Sequence, residues 1–311
     1  MINNGVVGDW RLSDEEFLRT FQLPSAQDKT ETLRATNPLS NDSRIVFDEE
    51  AHTYTLDGLL VPLSVTALVD EFCHDFNPGD AILGMRPDTK EKYAEQGLMT
   101  EKAIIASWNR NGEVQRNRGT LMHYHIEQFL NGCAIEEPQS PEFQQFAQLF
   151  QRIAMDQRVF RTELSVFSSQ LNVAGQIDAL FLRTDGTFAL WDWKRSKLVS
   201  VFFLSIQVPH CPEQTMTLTA MEYNSKINDL QLRYDSRTPM KEPLDHLPDT
   251  NYYRYALQLN IYRFILQSEH SMTVNALFLG ICHPSRSEPL CVQLPLMDDE
   301  MHALLEYRNS Q

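Results

Sequence analysis

The chain has 311 residues, of which 42% are hydrophobic and 22% charged, and its formal net charge is −15. This apolar content suffices for a full hydrophobic core, and only 12 Gly and 15 Pro exclude a collagen-like or low-complexity chain. The longest apolar runs, such as 199–206, are far shorter than the roughly 20 residues of a membrane-spanning helix, so no membrane association is expected.

The negative charge is concentrated at the front of the chain. Residues 1–150 contain 24 acidic and 12 basic residues, whereas residues 151–270 contain 13 of each. A neutral half can still present a basic groove, particularly where cations occupy its carboxylates, so the net charge does not exclude a polyanionic partner.

The N-terminal residues bear on cellular targeting, and the cysteines bear on the redox state of the protein. The first twenty residues have no apolar segment and contain four acidic residues, which argues against a signal or transit peptide and predicts an intracellular protein. The five cysteines include no CxxC pair. Reduced thiols are therefore the preferred interpretation over a disulfide or metal framework.

The front of the chain predicts a leader and then a small sheet. Residues 1–43 are polar without sustained periodicity, which is typical of a mobile or loosely docked segment. Residues 44–47 and 52–56 are predicted as short strands, followed by an Asp57–Gly58 turn and a third apolar stretch at 59–61.

Helical spacing of apolar residues predicts helices at 65–72, 119–130 and 143–159. Ser64 is placed to cap the first helix, and Asn131–Gly132 ends the second. Residues 74–115 are mixed and helical only in places. After residue 160 the hydrophobic period changes from 3.6 to 2.

Period-two alternation predicts a three-stranded meander at 161–168, 173–182 and 188–192. A long insertion at 195–250 follows it. The remaining predicted elements are a helix at 251–267, strands at 273–281 and 291–294, and a helix at 298–307. This order predicts an α/β fold built on one mixed sheet.

The meander contains the residues with the clearest chemistry. Alternate residues of a strand share a face, so Asp192 and Lys194 project together while Trp193 points to the core. Asp178 on the preceding strand can face the same side, and such a set suits a hard divalent cation with an activated water. The acid-x-Lys pattern alone proves little, because Asp88-Thr89-Lys90 matches it without a strand.

Two further pairs lie four residues apart on predicted helices: His123 with Glu127, and Gln258 with Tyr262. Taken alone, each is more often a half-buried structural pair than a site. Glu163 opens the first strand of the meander, where a surface carboxylate is equally plausible. His125 points to a different helix face and is interpreted as structural.

In chain order these residues read Arg118-Gly119-Thr120…His123…Glu127, Glu163, Gly175-x-x-Asp178, Asp192-x-Lys194 and Gln258-x-x-x-Tyr262. The series resembles the PD-(D/E)XK nuclease superfamily, most closely its RecB-like exonuclease branch of phage exonucleases and mitochondrial genome maintenance exonucleases. The resemblance implies a restriction-endonuclease-like core, in which helices flank a central mixed sheet, with an N-terminal helical extension and an insertion.

The resemblance also implies roles for individual residues. Mg²⁺ or Mn²⁺ would be bound by His123, Asp178, Asp192 and the backbone carbonyl of Trp193. The catalytic set would be Asp178, Asp192, Lys194 and Glu163, with Lys194 orienting and activating the attacking water. DNA would be contacted by Gln258, Tyr262, Arg118 and Arg195, with Glu127 in support.

The implied function is a metal-dependent deoxyribonuclease acting on DNA ends, preferring single-stranded DNA, in repair, replication or recombination. Three alternatives stay open: a structure-specific endonuclease of the same fold, a catalytically silent DNA-binding module, and a metal-binding protein with no nucleic-acid role. Some relatives hold an iron–sulfur cluster, but Cys282 and Cys291 are followed by no tight cysteine group, so no cluster is expected here.

The predicted domain organisation places one nuclease domain at 44–311 after the leader. It comprises an N-terminal part at 44–116, a catalytic core at 117–194 and 251–311, and the insertion at 195–250.

Overall fold

The computed structural model describes residues 8–24, 31–49, 51–135, 139–196, 198–199, 230–232 and 238–310. Within these ranges the helices are α1 (Asp14–Thr20), α2 (Thr32–Thr36), α3 (Val65–Glu71), α4 (Pro78–Leu83), α5 (Pro87–Glu95), α6 (Glu101–Leu130), α7 (Pro141–Ile153), α8 (Asn251–His270) and α9 (Asp298–Asn309). The strands are β1 (Ile45–Asp48), β2 (Thr53–Leu56), β3 (Leu59–Leu60), β4 (Leu63–Ser64), β5 (Gln157–Ser168), β6 (Val173–Arg183), β7 (Phe188–Arg195), β8 (Leu198–Val199), β9 (Leu230–Leu232), β10 (Val274–Cys282) and β11 (Leu290–Leu294).

A mixed sheet forms the centre of the molecule. Its strands lie in the order β11–β10–β7–β6, and β6 has β5 along one edge and both β7 and β4 along the other. β7 is parallel to β10, whereas β6 is antiparallel to β5 and β7. Helices α3, α8 and α9 pack on one face, and α6 and α7 on the other. The predicted α/β class, with a mixed sheet flanked by helices, is confirmed.

The alternation of β7 separates the two apolar cores. Trp191 and Trp193 point into the core under α6 and α7, whereas Leu190 packs with α3, α8 and α9. Because side chains alternate along a strand, Asp192 lies on the Leu190 face. The Trp193 ring lies so close to Gly280 of β10 that a Cβ there would come within 2.6 Å of it.

β6 and β7 are paired over only part of their lengths. Their ladder ends at the pair of Ala179 with Trp191, while β4 pairs with the same edge of β6 at Val173 and Ala174. No strand in the described ranges pairs with residues 175–178 on this edge. A gap therefore opens in the sheet between β4 and β7.

The described part of the leader is docked, which differs from the loosely docked segment that the sequence predicts. α1 begins with a capping box of Ser13 and Glu16 and buries Phe17 completely against Leu121 of α6. The leader makes this contact through Trp10, Leu12, Phe17 and Phe21. Only Phe17 and Phe21 have a helical spacing, and a single pair four residues apart is too short a pattern to predict a helix.

A buried ion pair holds the second half of the leader. Arg161 is 3% exposed. Its guanidinium donates to both carboxylate oxygens of Asp42 at 2.8 and 3.0 Å and to the carbonyl of Asn37 at 3.0 Å. The Asn37 side chain in turn donates to the carbonyl of Phe160 at 2.9 Å. These contacts join the leader directly to β5.

Two predicted helix boundaries are wrong. α6 begins at Glu101, capped by Thr100, and runs through Gly119, the predicted helix start. A glycine inside a helix costs only about 1 kcal/mol relative to alanine, which a helix of 30 residues tolerates. α7 ends at Ile153 rather than at 159. The predicted Asp57–Gly58 turn is confirmed, with φ of +50° and +82° between β2 and β3.

The predicted insertion at 195–250 lies largely outside the described residues, which omit 197, 200–229 and 233–237. Its last part, 238–250, is a loop that buries three apolar side chains, Met240, Leu244 and Leu247. The cysteines in the described ranges are free thiols. Over the same ranges, no helix has both the length and the hydropathy that crossing a membrane requires.

Neutralising Asp42 should destabilise the protein strongly. Asp42→Asn leaves the buried Arg161 charge without its carboxylate, so the free energy of unfolding should fall by about 3 kcal/mol in urea titrations at neutral pH. Asp57→Asn is the matched control, because its ion pair with Arg44 is 54% and 44% exposed and should contribute about 0–1 kcal/mol. Equal losses in the two variants would contradict the anchoring role of Arg161.

Candidate functional site

A side chain bridges the gap between β6 and β7. The backbone N–H of Trp193, beyond the last ladder pair, donates to Asp178 Oδ2 at 2.7 Å. The carboxylate of a β6 residue thus accepts the bond that a β6 carbonyl accepts in a continuous ladder. Because an unpaired buried N–H is costly, this bond fixes Asp178 against β7.

Two further elements bring metal-ligating atoms to Asp178. His123 of α6 has its Nδ1 3.5 Å from Asp178 Oδ2, and the two side chains are 29% and 14% exposed. Glu163 of β5 completes the group, because one ligand atom from each residue lies within 4.8 Å of the other two. One imidazole and two carboxylates from three separate elements therefore meet in a part-buried position.

Glu163 has an unusual backbone conformation for a strand residue. It lies inside β5, between the pairs Thr162–Ala179 and Leu164–Ile177, and not at the strand start that the sequence predicts. Its φ of +44° is in the left-handed region, which disfavours residues with a Cβ. Such conformations cost of order 1–3 kcal/mol and cluster at functional sites, so the flanking ladder must hold this residue in place.

Asp192 and Lys194 form an ion pair on β7, the strand to which Asp178 is hydrogen-bonded. Lys194 Nζ lies 2.7 Å from Asp192 Oδ2, and the Asp192 side chain is only 7% exposed. Burial raises the pKa of Asp192, Lys194 opposes the rise, and the charge of Asp178 adds to it, with a net upward shift. Burial acts to lower the pKa of Lys194, but the charges of Asp192, Tyr255 and Asp178 outweigh it and the pKa is raised.

The predicted ligand set is brought together only in part. His123 and Asp178 are adjacent, but the third residue in reach of both is Glu163. Asp192, predicted as a ligand, is paired with Lys194. Metal binding by the Trp193 carbonyl stays a prediction.

Tyr255 of α8 is a site residue that the sequence analysis missed. Its ring centroid lies 4.6 Å from Lys194 Nζ, a distance at which a cation and an aromatic face attract. Burial raises the pKa of its hydroxyl. The signal in the sequence is its spacing, because Tyr255 precedes Gln258 by three residues and shares its helix face.

Tyr262 is buried rather than placed at the surface. It is 4% exposed, and its ring lies so close to Gly175 of β6 that a Cβ there would come within 2.7 Å. Gln258 Nε2 lies 3.5 Å from its hydroxyl, and burial raises the pKa of Tyr262. In this position Tyr262 packs α8 against β6, whereas Gln258 is part-buried.

The two arginines predicted to bind DNA are engaged within the protein. Arg195 is 7% exposed and pairs at 2.6 Å with Glu142, which is 8% exposed. Arg118 is 13% exposed and donates to the carbonyls of Trp10 and Leu12 in the leader, both at 2.9 Å. Both guanidinium groups therefore stabilise contacts between elements of the fold.

Two other residues of α6 are also enclosed. Glu127, the predicted supporting residue, is 7% exposed. His125 lies edge-on to Phe143 with ring centroids 6.4 Å apart, and burial lowers its pKa. This environment agrees with the structural interpretation of His125.

Comparisons with known proteins give little further information. No family model and no curated protein matches the chain. The crystal structure of SSO0001 is similar at 12% identity, covering 79% of this chain and 83% of that chain, with a TM-score of 0.26. A TM-score this low supports no conclusion about fold or function.

Glu163→Gly should be more stable than Glu163→Ala by about 1 kcal/mol, because glycine adopts positive φ without a steric penalty. Both variants lack the carboxylate, so both should bind Mn²⁺ more weakly than the natural chain. Thermal denaturation without metal measures the first effect, and titration calorimetry the second. A more stable alanine variant would contradict the left-handed conformation at this position.

Proposed function

We propose that this protein is a metal-dependent exonuclease with a restriction-endonuclease-like core, which hydrolyses phosphodiester bonds from DNA ends and prefers single strands. One observation carries the proposal. One ligand atom from each of His123, Glu163 and Asp178 lies within 4.8 Å of the other two. The Asp192–Lys194 ion pair of β7 lies close enough to this group for the charge of Asp178 to raise the pKa of Asp192.

The donor set fits a divalent cation of the Mg²⁺ or Mn²⁺ type. Carboxylate oxygens are the preferred ligands of both ions, and neutral imidazole is an accepted ligand of Mn²⁺. His123, Glu163 and Asp178 would hold the cation. Asp192 Oδ2 is buried and, apart from its ion pair with Lys194, has no hydrogen-bond partner in the described part of the chain.

Side chains of the protein account for the orientation of the attacking water and for an interaction with the charged phosphate. When bound, the cation supplies charge neutralisation on the phosphate and a lowered pKa for an attacking water. Lys194 places an ammonium where it can donate to a phosphate oxygen and orient that water. Asp192 and the ring of Tyr255 restrict the position of Lys194. The Trp193 N–H restricts Asp178 in the same way.

The electrostatics of the site explain why a cation is required. Glu163, Asp178 and Asp192 place three carboxyl groups near one another, against the one ammonium of Lys194. Without a cation, these carboxylates repel a phosphate diester. The charge of the site therefore supports the proposed metal requirement, in addition to the chemistry of hydrolysis.

The alternatives share this site. A structure-specific endonuclease would use the same residues. A catalytically silent DNA-binding module is less well supported, because Asp178, Asp192 and Lys194 are all present and a decayed site should have lost at least one of them.

Asp192→Asn and Lys194→Ala should each lower Mg²⁺- or Mn²⁺-dependent hydrolysis of end-labelled DNA by at least about a hundredfold. Circular dichroism establishes that the variants are folded. Asp88→Ala and Lys90→Ala are the matched controls, since the same acid-x-Lys pattern lies there on helix α5, outside the sheet. Full activity in a folded Lys194→Ala variant would contradict the proposal.

Closed circular single-stranded DNA should resist cleavage under conditions that degrade the linear form of the same sequence. An exonuclease needs an end, whereas an endonuclease does not. The measurement is gel electrophoresis of both substrates over time with Mg²⁺. Rapid linearisation of the circle would favour the endonuclease alternative instead.

A further inference from the structure

One face of α6 extends from the candidate metal site towards the N-terminal end of the helix. At 3.6 residues per turn, five residues fall within roughly 80° of one another: Trp108, Gly112, Arg116, Gly119 and His123. His123 belongs to the candidate site. The other four residues therefore line a path that leads away from it.

Within the described residues, the path is open between His123 and Arg116. A Cβ added at Gly119 would have no heavy atom of these residues within 4 Å, apart from the adjoining helix backbone. At Gly112 the nearest atom would be Nη1 of Arg116, at 3.4 Å. Arg116 is thus the one large side chain on this face between His123 and Trp108.

Arg116 differs from the neighbouring arginines of the helix. It is exposed, and no ion pair involves it within the described ranges. Arg110 and Arg118 both point about 140° away from His123. Arg110 pairs with Glu15 at 3.0 Å, and Arg118 is bound to the leader. Arg116 is the arginine of this helix that is placed to meet a ligand of the site.

Aromatic rings lie at the far end of the path. Phe76 is 70% exposed, and its ring centroid lies 6.0 Å from that of Trp108. Trp108 is half-buried, and its Nε1–H donates to the hydroxyl of Tyr93 at 2.8 Å. This bond holds the indole in place while Phe76 remains open to solvent.

We propose that this face of α6 binds a single DNA strand and guides it to the candidate metal site. Arg116 contacts a phosphate, and Phe76 with Trp108 stacks against unpaired bases, the combination that single-strand binding uses. A duplex keeps its bases inside and could not occupy the aromatic end. The inference rests on the proposed function and specifies its substrate.

The length of the path sets the length of strand that it can bind. Fifteen residues separate His123 from Trp108, which is about 22 Å at 1.5 Å per residue. A stacked strand advances roughly 3.4 Å per nucleotide, so about six nucleotides fit. The affinity should therefore rise with oligonucleotide length up to about that size and then level off.

The test is fluorescence anisotropy of a dye-labelled oligothymidylate of about ten nucleotides, with EDTA present so that nothing is cleaved. Arg116→Ala should weaken binding about tenfold and reduce the salt slope by about 0.7, the value for one phosphate contact with a single strand. Phe76→Ala should weaken it about fivefold or more. Gly119→Leu should obstruct the strand while the melting temperature is unchanged or higher, because leucine is the better helix former.

Arg110→Ala is the matched control for the loss of a positive charge. Met155→Ala is the control for the loss of an exposed apolar side chain, because Met155 is 85% exposed on another part of the surface. Both variants should bind the oligonucleotide as tightly as the unsubstituted chain. The inference would be overturned if Arg116→Ala and Gly119→Leu both bound the oligonucleotide as tightly as the unsubstituted chain, or if a blunt duplex bound more tightly than the single strand. If these variants bind normally and metal-dependent hydrolysis is observed, the strand path is rejected and the nuclease function is retained. If binding depends on Arg116 but no hydrolysis is observed, the nuclease function is rejected and the strand path is retained.

Discussion

The hydrogen bond from the Trp193 N–H to Asp178 Oδ2 joins two strands at the point where their ladder stops. If β6 and β7 stayed paired, the Trp193 N–H would donate to a β6 carbonyl and Asp178 would lie in a continuous sheet. If the strands separated without this bond, a backbone donor would be left unpaired in the interior. The separation of the strands and the position of the carboxylate therefore depend on each other.

Aromatic packing holds both sides of this gap. On the α6 side, Trp193 lies over Gly280, and on the α8 side Tyr262 lies over Gly175. In each case a ring occupies the volume that a Cβ of the facing residue would need. Both strands are thus held by bulky side chains on opposite faces of the sheet, which limits how far the site residues can move when a charged ligand binds.

Local patterns predicted much of this arrangement, and contacts between distant parts of the chain could not be predicted. Alternation along β7 placed Asp192 and Lys194 on one face, and the cap at Ser64 marked the start of α3. The left-handed conformation of Glu163 has no local signal, because it is imposed by the ladder around it. The docking of the leader through Arg161 likewise depends on residues far apart in sequence.

Helix geometry separates two arginines of α6. The resemblance implies that Arg118 contacts DNA, and five residues of helix turn it about 140° from His123. Arg116, seven residues before His123, returns to the same face. A helix that starts at Gly119, as the sequence predicts, would not include Arg116. The face of α6 could be assigned only once the helix was known to begin at Glu101.

The ion pair between Asp42 and Arg161 also has a consequence for the order of events during synthesis. Asp42 is made 119 residues before its partner. At a synthesis rate of roughly 5–20 residues per second, Arg161 is added about 6 to 24 s after Asp42. During that interval the leader has no docking site on β5. The polar composition of the leader is compatible with this delay. An exposed apolar segment could make non-native contacts until β5 has been synthesised.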